Sequence, residues 1–519
     1  MICIPVQLAA QPVIADQGVT NAASYSIALP NGGGLTPGSI IVIFGSGLGP
    51  ATLQSAPSYP LGATLVGTSV RIGSDSAFIV YTSATQVAAI VPSTLQPGRH
   101  QVTVTYDNRT SPPVPVQVTA TDFGIFTRNA AGYGQAAAQT VLTPIGEVST
   151  VGLATSIRPG EPVVLYGTGL GAIDGAPDDR PPGAARTTVP VEVVIEGQLV
   201  TPFYAGRSPN YAGLDQINFI APANLQPECY VPVAVRAAGR LSNIVSVPIT
   251  TTGRNCPHPF HVSGESAARI DSGGTVTIAQ VIGERRSSEA GSVGEGIGIG
   301  FAEVDANSLE IAANRRNDPL NGPQPGVCAL QVVDRNAAVV RRPTVSRPRF
   351  LDAGSLVRLA GPSYSADVPR TPDSTYGMNL PAGTLGAGTW TFSSTGGGDI
   401  GPFELASDLP APLTWTDRQV NLNPSQPLRL EWTGGGSGPV SIAIVTNTNS
   451  ILCTAAPQDR TITVPAELMM MLPSGGTGGI VFTQEITSTG FNIPLRRGGT
   501  VDGSLFRVEE QTSGTIRVL

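Results

Sequence analysis

Apolar residues along the chain fall into short runs that are separated by glycine and proline. Residues 40–44 (IIVIF) form a continuous apolar run that Gly45 ends, which is typical of a strand buried on both faces and followed by a tight turn. Residues 101–106 instead alternate, with valine and tyrosine on one face, which indicates a half-buried strand. About seven short runs of these kinds precede residue 119, and that number predicts an immunoglobulin-like β-sandwich.

One pattern occurs twice in the chain. Residues 36–49 (TPGSIIVIFGSGLG) return as residues 158–171 (RPGEPVVLYGTGLG), and Gln86 recurs in a corresponding place as Gln216. A repeat of this length indicates a duplicated small domain rather than a solenoid. The second copy contains a long insertion at residues 174–186, rich in Pro and Asp, and ligand sites are often built on such loops.

After residue 252 the repeat stops, but short apolar runs between turns continue to the C-terminus. Because little of the chain has the spacing of an amphipathic helix, we predict an all-β protein with tandem immunoglobulin-like β-sandwiches followed by two further β domains. The predicted segments are a truncated signal peptide at 1–10, sandwich repeats at 11–120 and 121–252, a β-rich domain of unknown role at 253–409 and a small β-sandwich at 410–519.

The composition supports folded cores and excludes one class of partner. Gly (62 residues) and Pro (46 residues) are abundant, but 41% of the chain is hydrophobic, which favours many short strands joined by turns over disorder. The net charge is −7, and the basic residues, all of them arginine, are scattered. Nucleic acid binding needs a basic surface, so it is not expected. No apolar run approaches the ~18 residues that cross a bilayer, so no integral membrane segment is expected.

The N-terminus and the cysteines indicate the compartment. The first ten residues are apolar and end in two alanines, like a secretory signal whose basic start is missing; an ordinary first strand is the alternative. Removing them leaves Cys229, Cys256, Cys328 and Cys453, an even number compatible with an oxidising compartment. A Cys229–Cys256 disulfide is the expected bridge, whereas the other two cysteines either pair or remain buried thiols. We therefore expect an extracytoplasmic protein, secreted or on the cell surface.

The repeat also resembles a known family. The motifs that carry the resemblance are residues 21–25 (NAASY), 37–49, 83–86 (SATQ), 204–206 (YAG) and 216–218 (QIN). In content and order they resemble the uncharacterised C-terminal domain of Solibacter-type acidobacterial proteins. Each half is also similar to the IPT/TIG domain, the immunoglobulin-like module of transcription factors, plexins and bacterial surface proteins. The resemblance covers residues 18–250 and implies a secreted or surface pair of β-sandwiches with no established activity.

Five residues are candidates for contact with a ligand. Trp390 and Trp415 carry aromatic rings that can stack on sugars, although burial in a core is the usual place of tryptophan. Asp174, Asp178 and Asp179 lie in the long insertion, where their oxygens could bind calcium. An acidic solvated loop is the simpler interpretation of these three aspartates, since no known calcium-loop spacing is met.

The sequence contains no recognised catalytic motif. Residues 45–49 (GSGLG) lack the Lys-Ser/Thr of a phosphate loop, and residues 294–300 (GEGIGIG) lack the dinucleotide-binding spacing. Cys256, His258 and His261 are metal-ligand types at short spacing, but Cys256 is better used in the disulfide. We therefore assign no catalytic, cofactor or metal residue.

These observations predict an exported or cell-surface non-catalytic protein that acts in adhesion, scaffolding or the binding of extracellular glycan or protein. One alternative is a polysaccharide-degrading enzyme whose catalytic carboxylates lie in residues 260–409 and whose sandwiches are accessory domains. The other alternative is an inert extracellular spacer. The ligand, the oligomeric state and the role of residues 253–519 are open at this point.

Overall fold

A computed structural model describes residues 11–27, 33–142, 144–288, 291–306, 308–309, 326–332, 347–418, 421–446, 449–456 and 458–519. These residues form two compact units, residues 11–256 and 257–519. The segment predicted to be a signal peptide, residues 1–10, lies outside the described residues. Both units consist mainly of β-strands, as the sequence predicts. None of the helices in the described residues is long and apolar enough to span a membrane.

The first unit begins with a two-sheet β-sandwich, as expected for an immunoglobulin-like repeat. Its strands are β1 (Val13–Asn21), β2 (Ile40–Ser46), β3 (Gln54–Ser55), β4 (Thr64–Leu65), β5 (Thr68–Ile72), β6 (Asp75–Ser76), β7 (Phe78–Thr82), β8 (Gln86–Ile90), β9 (Gly98–Tyr106), β10 (Arg109–Thr110) and β11 (Val114–Val118). The front sheet has the order β1-β2-β8-β7-β3, and the back sheet has the order β10-β9-β5-β4, with β11 paired to β9. Ile41 and Ile43 of the front sheet pack with Val70 and Val102 of the back sheet in one core.

The second sandwich repeats this plan. Its strands are β12 (Gly124–Ile125), β13 (Ala138–Leu142), β14 (Glu147–Thr150), β15 (Pro162–Thr168), β16 (Ala185–Arg186), β17 (Val191–Ile195), β18 (Gln198–Val200), β19 (Tyr204–Arg207), β20 (Asp215–Ile220), β21 (Glu228–Ala237), β22 (Arg240–Leu241) and β23 (Val245–Ile249). The front sheet has the order β14-β13-β15-β20-β19-β16, and the back sheet has the order β18-β17-β21-β22. Strands β15 and β20 correspond to β2 and β8 of the first sandwich, and their inward side chains form the second core.

The second unit is also built mainly from strands. Its elements are α1 (Gly264–Asp271), β24 (Thr275–Ser288), β25 (Gly291–Asp305), β26 (Val327–Val332), β27 (Arg349–Phe350), β28 (Leu356–Ala360), β29 (Ser365–Pro369), β30 (Tyr376–Leu380), β31 (Gly388–Ser394), β32 (Phe403–Leu409), β33 (Thr414–Trp415), β34 (Asn421–Leu422), β35 (Leu428–Thr433), β36 (Val440–Thr446), β37 (Asn449–Ala455), β38 (Thr461–Val464), α2 (Ala466–Met469), β39 (Thr477–Thr489) and β40 (Gly503–Val518).

One long sheet runs through this unit in the order β26-β37-β36-β39-β40-β24-β25-β27, with β30 paired to β25. Two cores lie against it. One contains Trp390 and Phe301, and the other contains Trp432 and Phe482. Strands β39 and β40 contribute side chains to both cores. The predicted division near Pro410 therefore lies between two cores that share a continuous sheet.

Candidate functional site

The two sandwiches carry matching side chains on the outer faces of their front sheets. Phe44 of β2 pairs with Gln86 of β8, and Tyr166 of β15 pairs with Gln216 of β20. The residues that precede Phe44 and Tyr166 are fully buried in the two cores. Because alternate residues of a strand face opposite sides of the sheet, these four side chains point outward. The duplication therefore places an aromatic ring beside an amide at corresponding points of both sandwiches.

Further aromatic rings surround Phe44. The ring centroid of Tyr25 lies 6.2 Å from that of Phe44. Tyr81 of β7 and Phe126, which follows β12, pack with Phe44 against one small buried apolar cluster. The N–H of Phe126 donates to the carbonyl of Tyr166 at 2.9 Å, so the segment that carries Phe126 lies directly beside β15. We call Tyr25, Phe44, Tyr81, Phe126 and Tyr166 the aromatic strip; its rings are partly exposed and come from both sandwiches.

The phenols of the aromatic strip are uncharged over the ordinary pH range. Burial raises the pKa of Tyr25, and burial followed by the nearby Tyr25 raises the pKa of Tyr81 to about 12. The pKa of Tyr166 is raised by burial and then by the neighbouring Tyr211. The Tyr211 side chain is 58% exposed, so it extends the aromatic surface toward solvent. These hydroxyls therefore act as neutral hydrogen-bonding groups.

Amide side chains border the aromatic strip on the second sandwich. The hydroxyl of Tyr166 donates to Oε1 of Gln139 at 2.7 Å. Nε2 of Gln216 donates to Oδ1 of Asn218 at 3.0 Å. Each of these amides has more donor and acceptor positions than one such bond uses. The surface thus combines apolar ring faces with neutral polar groups at their edges.

The two sandwiches are in direct contact. The N–H of Ile40 donates to Oγ1 of Thr168 at 2.9 Å, and the Thr168 hydroxyl donates to the carbonyl of Gly213 at 2.8 Å. A Cβ on Gly213 would lie 2.8 Å from Cγ1 of Ile40 and 3.0 Å from Cδ1 of Ile90, so a side chain does not fit there. These contacts hold the front sheets of the two sandwiches in a defined position and align the rings of the aromatic strip.

A buried ion pair lies at the same junction. Arg207 and Asp215 pair with side chains that are 2% and 0% exposed. Oδ2 of Asp215 also accepts hydrogen bonds from the N–H groups of Gly169 and Leu170, each at 2.8 Å. Burial raises the pKa of Asp215, and Arg207 and the two N–H groups oppose that shift. The guanidinium also lies against Gly38 of the first sandwich, so the pair forms part of the contact between repeats.

The three aspartates predicted to face a ligand occupy different environments. Asp178 accepts hydrogen bonds from the N–H of Ser93 at 2.7 Å and from its hydroxyl at 2.5 Å. Asp179 pairs with Arg180 at 3.0 Å, and Asp174 is exposed. In the part of the chain that the structure describes, no group of three or more His, Cys, Asp or Glu could hold a metal ion. The insertion contacts the first sandwich through Asp178, and a ligand-facing role of the three aspartates stays a prediction.

Both tryptophans predicted to face a ligand are buried. Trp390 is 1% exposed, and its Nε1–H donates to the carbonyl of Gly386 at 3.0 Å. Trp415 is 2% exposed, and its ring centroid lies 5.4 Å from that of Phe482. Neither ring has a free face on which a sugar could stack. Their predicted ligand-facing role is therefore corrected to packing in the two cores of the second unit.

The cysteines form two disulfides. Cys229 and Cys256 are bonded as predicted, with their Cα atoms 5.2 Å apart, and Cys328 pairs with Cys453. Because Cys256 is oxidised, its thiolate is not available as a ligand beside His258. Burial lowers the pKa of His258 to about 4, and its Nδ1 accepts a hydrogen bond from the N–H of Phe260 at 3.1 Å. This histidine is a neutral structural residue.

Several carboxylates of residues 260–409 are held by structural hydrogen bonds. The oxygens of Glu295 accept from the N–H groups of Gly383 at 3.1 Å and Leu385 at 2.7 Å. The pKa of Glu303 is lowered, first by its hydrogen bond with Arg349 and also by its bond with Arg497. The lowered pKa keeps Glu303 ionised, whereas a general acid needs a raised pKa. Glu295 is held in place by the two backbone N–H groups.

Comparisons with known proteins agree with the fold of the first sandwich. Residues 25–119 match the IPT/TIG domain family. A comparison with curated proteins gives no match. Solved structures with a similar arrangement include SGBP-B of the Bacteroides ovatus mixed-linkage glucan utilization locus in complex with a heptasaccharide (10% identity, TM-score 0.20, 42% of this chain and 45% of that chain). The chain thus spans less than half the length of that protein.

Two further similar structures are SGBP-B from a complex xyloglucan utilization locus in Bacteroides uniformis (11% identity, TM-score 0.16, 72% of this chain and 86% of that chain) and Sidekick-1 immunoglobulin domains 1–4 (10% identity, TM-score 0.13, 97% of this chain and 100% of that chain). At such identities and TM-scores these likenesses identify no ligand for this chain.

Sequence reasoning did not identify the aromatic strip, although one signal was present. The repeat places Phe44 and Tyr166 at corresponding points, beside Gln86 and Gln216. A continuous apolar run does not show which of its residues face the core, so these two rings were indistinguishable from core residues. The pairing of strands supplies that information.

Proposed function

We propose that the protein is an exported, non-catalytic binding protein whose aromatic strip holds a neutral glycan chain. The observation that carries the proposal is the set of partly exposed rings, contributed by both sandwiches and bordered by amides. A pyranose ring has an apolar C–H face and a polar edge of hydroxyls. The aromatic strip offers the matching combination, since ring faces bury apolar surface and the phenols and amides supply hydrogen bonds.

The charge of the aromatic strip favours an uncharged ligand. Its phenols have raised pKa values, and its bordering polar groups are amides. A polyanionic chain would find no cationic partner among these groups, whereas neutral hydroxyls can donate to and accept from all of them. Binding on this surface needs no proton transfer, which is consistent with a non-catalytic role.

An extracytoplasmic location is part of the proposal. Two disulfides, Cys229–Cys256 and Cys328–Cys453, are typical of proteins that fold in an oxidising compartment. We also propose that residues 18–250 belong to the Solibacter-type family. The direct contact between the two sandwiches supports the view that they work together as one binding module. A binding module outside the cell is in direct contact with extracellular polysaccharides.

The test measures binding of the full chain to neutral polysaccharides such as cellulose, mixed-linkage glucan, xyloglucan and chitin, with retention and released sugar scored together. Tyr166→Ala is expected to weaken retention by at least about tenfold, because it removes a ring and a hydroxyl of the aromatic strip. The matched control is Tyr106→Ala, a partly exposed tyrosine on β9 of the back sheet. Equal losses for both variants contradict the proposed site, and released sugar contradicts the non-catalytic role.

A rigid spacer is the second candidate function. It is favoured by the junction between the sandwiches, where the Arg207–Asp215 pair and the bonds of Asp178 to Ser93 fix one repeat against the other. A spacer needs no ligand. Absence of retention on every polysaccharide of the panel, with the fold intact, supports this function over glycan binding.

A further inference from the structure

A cleft of about 480 Å³ lies on the long sheet of the second unit. Gly294 and Gly296 of β25 form its floor, and Glu284 and Arg286 of the adjacent β24 line one side. Asn379 of β30, which pairs with Gly296, lines the other side. A volume of this size lies within the range of about 300–1,000 Å³ that is usual for small-molecule sites.

The floor glycines leave open space above the sheet. A Cβ on Gly294 would meet no atom within 4 Å, and the nearest atom to a Cβ on Gly296 would be the carbonyl oxygen of Met378 at 3.6 Å. Neither glycine has a left-handed backbone conformation. Glycine inside a strand is less favourable than alanine, and it often marks the close approach of a ligand.

The pairing of β25 determines how a ligand can approach. Glu295, Gly296 and Ile297 are paired with β24 on one side and with β30 on the other. An added peptide strand needs an unpaired edge, which this stretch does not offer. A ligand must therefore lie on the face of the sheet and reach the side chains that stand on the neighbouring strands.

The charged groups of the cleft argue for binding without reaction. Glu295 lies between the two floor glycines, and both of its oxygens accept backbone N–H groups. Glu284 pairs with Arg286 at 3.0 Å, and both side chains are about half exposed. Across the sheet Glu284 is in register with Glu509, and Glu509 is in register with Glu485. Arg286 pairs with Glu284 and Arg507 pairs with Glu485, so this row of three carboxylates has no excess of positive charge that would hold an anionic ligand.

We propose that this cleft is a second carbohydrate site, which takes a neutral oligosaccharide of one or two pyranose units. The sugar lies flat on the glycine floor, with its hydroxyls directed at the Glu284–Arg286 pair on one side and at Asn379 on the other. Gln511 of β40 supplies a further amide at the rim. The site is in the second unit and does not depend on the aromatic strip of the first.

The experiment uses the full chain carrying Tyr166→Ala, so that binding by the aromatic strip is reduced, and titrates it with cellobiose, N,N′-diacetylchitobiose and digalacturonate by calorimetry. Gly296→Val fills the floor and is expected to weaken binding of the neutral disaccharide by at least tenfold. Gly298→Val is the matched control, since Gly298 lies on the same face of β25 outside the cleft and its Cβ would meet only the carbonyl oxygen of Ile282 at 3.9 Å. It is expected to change affinity by less than twofold.

Both valine variants should fold, because β-branched residues are favoured in strands. Asn379→Ala leaves the glycine floor unchanged and is expected to weaken binding of the neutral disaccharide about fivefold. It replaces Gly296→Val as the test variant if a valine variant does not fold. The proposal is overturned if neither neutral disaccharide binds, if Gly296→Val and Gly298→Val lose affinity equally, or if digalacturonate binds more tightly than the neutral sugars. Loss of polymer retention in Tyr166→Ala with disaccharide binding intact would show that the two sites are separate.

Discussion

Arg207 and Asp215 place two opposite charges where water has almost no access. Each depends on the other, because a buried charge without its partner costs several kcal/mol. Asp215→Asn preserves the shape of the side chain but removes the charge that balances Arg207. We expect it to lower the unfolding free energy of the first unit by about 3–5 kcal/mol, as measured by denaturant unfolding of the full chain.

The control for this substitution is Asp367→Asn in the second unit. Asp367 pairs with Arg358 at 3.1 Å, but both side chains are more than half exposed. A pair in water contributes less than about 1 kcal/mol, so this variant should unfold almost as the parent does. A cost for Asp215→Asn that is no larger than the cost for Asp367→Asn would contradict the structural role of the buried pair.

His258 should make the second unit sensitive to acid. Burial lowers its pKa to about 4 in the folded protein, against an ordinary value of 6.5. The unfolded state therefore binds the proton more readily, so the stabilisation is fully present above pH 6.5 and is lost as the pH falls toward 4. We expect a loss of roughly 3 kcal/mol over that interval.

The measurement compares the unfolding free energy of the parent and of His258→Asn at several pH values. Asparagine can still accept the N–H of Phe260, but it does not titrate. The difference between the two proteins should therefore change with pH and become constant above pH 7. A difference that stays constant between pH 4 and pH 7 would show that His258 is not the group responsible.

At the scale of the element, the Cys229–Cys256 disulfide ties β21 to the chain that follows β23. The two residues are 27 positions apart, and closing a loop of that length stabilises a protein by about 3–4 kcal/mol in the chain-entropy model. Replacing both cysteines by alanine should lower the denaturant midpoint of the first unit. The corresponding pair of substitutions at Cys328 and Cys453 should leave that midpoint unchanged, and an equal effect of both pairs on the first unit would contradict the assignment.

The strands could be predicted from sequence because their signal is local. Continuous apolar runs that end at glycine define β2 and β15, and alternation defines β9. The repeated motif of residues 36–49 and 158–171 predicts that the two sandwiches share a plan. The parallel pairing of β24 with β40 could not be predicted, since it joins strands more than 200 residues apart. Long-range register is set by packing and not by local pattern.

The candidate site was harder to predict than the fold. Tryptophan is the usual choice for stacking on a sugar, yet Trp390 and Trp415 fill cores, and the exposed rings belong to phenylalanine and tyrosine. The sequence predicts that Asp178 lies in a solvated acidic loop, because it does not show that the Ser93 hydroxyl donates a hydrogen bond to Asp178. In both cases the missing information was the identity of the neighbour, which comes from tertiary contacts.

At the scale of the whole molecule, direct contacts hold the two sandwiches of the first unit together. Gly213 lies at a close point of that contact, with a left-handed backbone (φ +70°) and a Cβ position only 2.8 Å from Cγ1 of Ile40. The aromatic strip takes Phe44 and Tyr81 from one sandwich and Phe126 and Tyr166 from the other. Its continuity therefore depends on how closely the two sandwiches approach.

Gly213→Ala should separate the sandwiches slightly and so weaken the binding of long glycan chains more than that of short ones. A long chain contacts rings on both sides of the junction, whereas a disaccharide needs only one side. We expect at least about a fivefold loss of affinity for a hexasaccharide and little change for a disaccharide, measured by calorimetry on the full chain.

Gly253→Ala separates this effect from backbone strain. Gly253 has a similar left-handed backbone (φ +66°), but a Cβ there would meet no atom within 4 Å. Both substitutions cost about 1–2 kcal/mol through the unfavourable backbone conformation, but only the one at Gly213 pushes on the first sandwich. If the two variants bind the hexasaccharide equally well, the aromatic strip does not act across the junction, and each sandwich must then bind on its own.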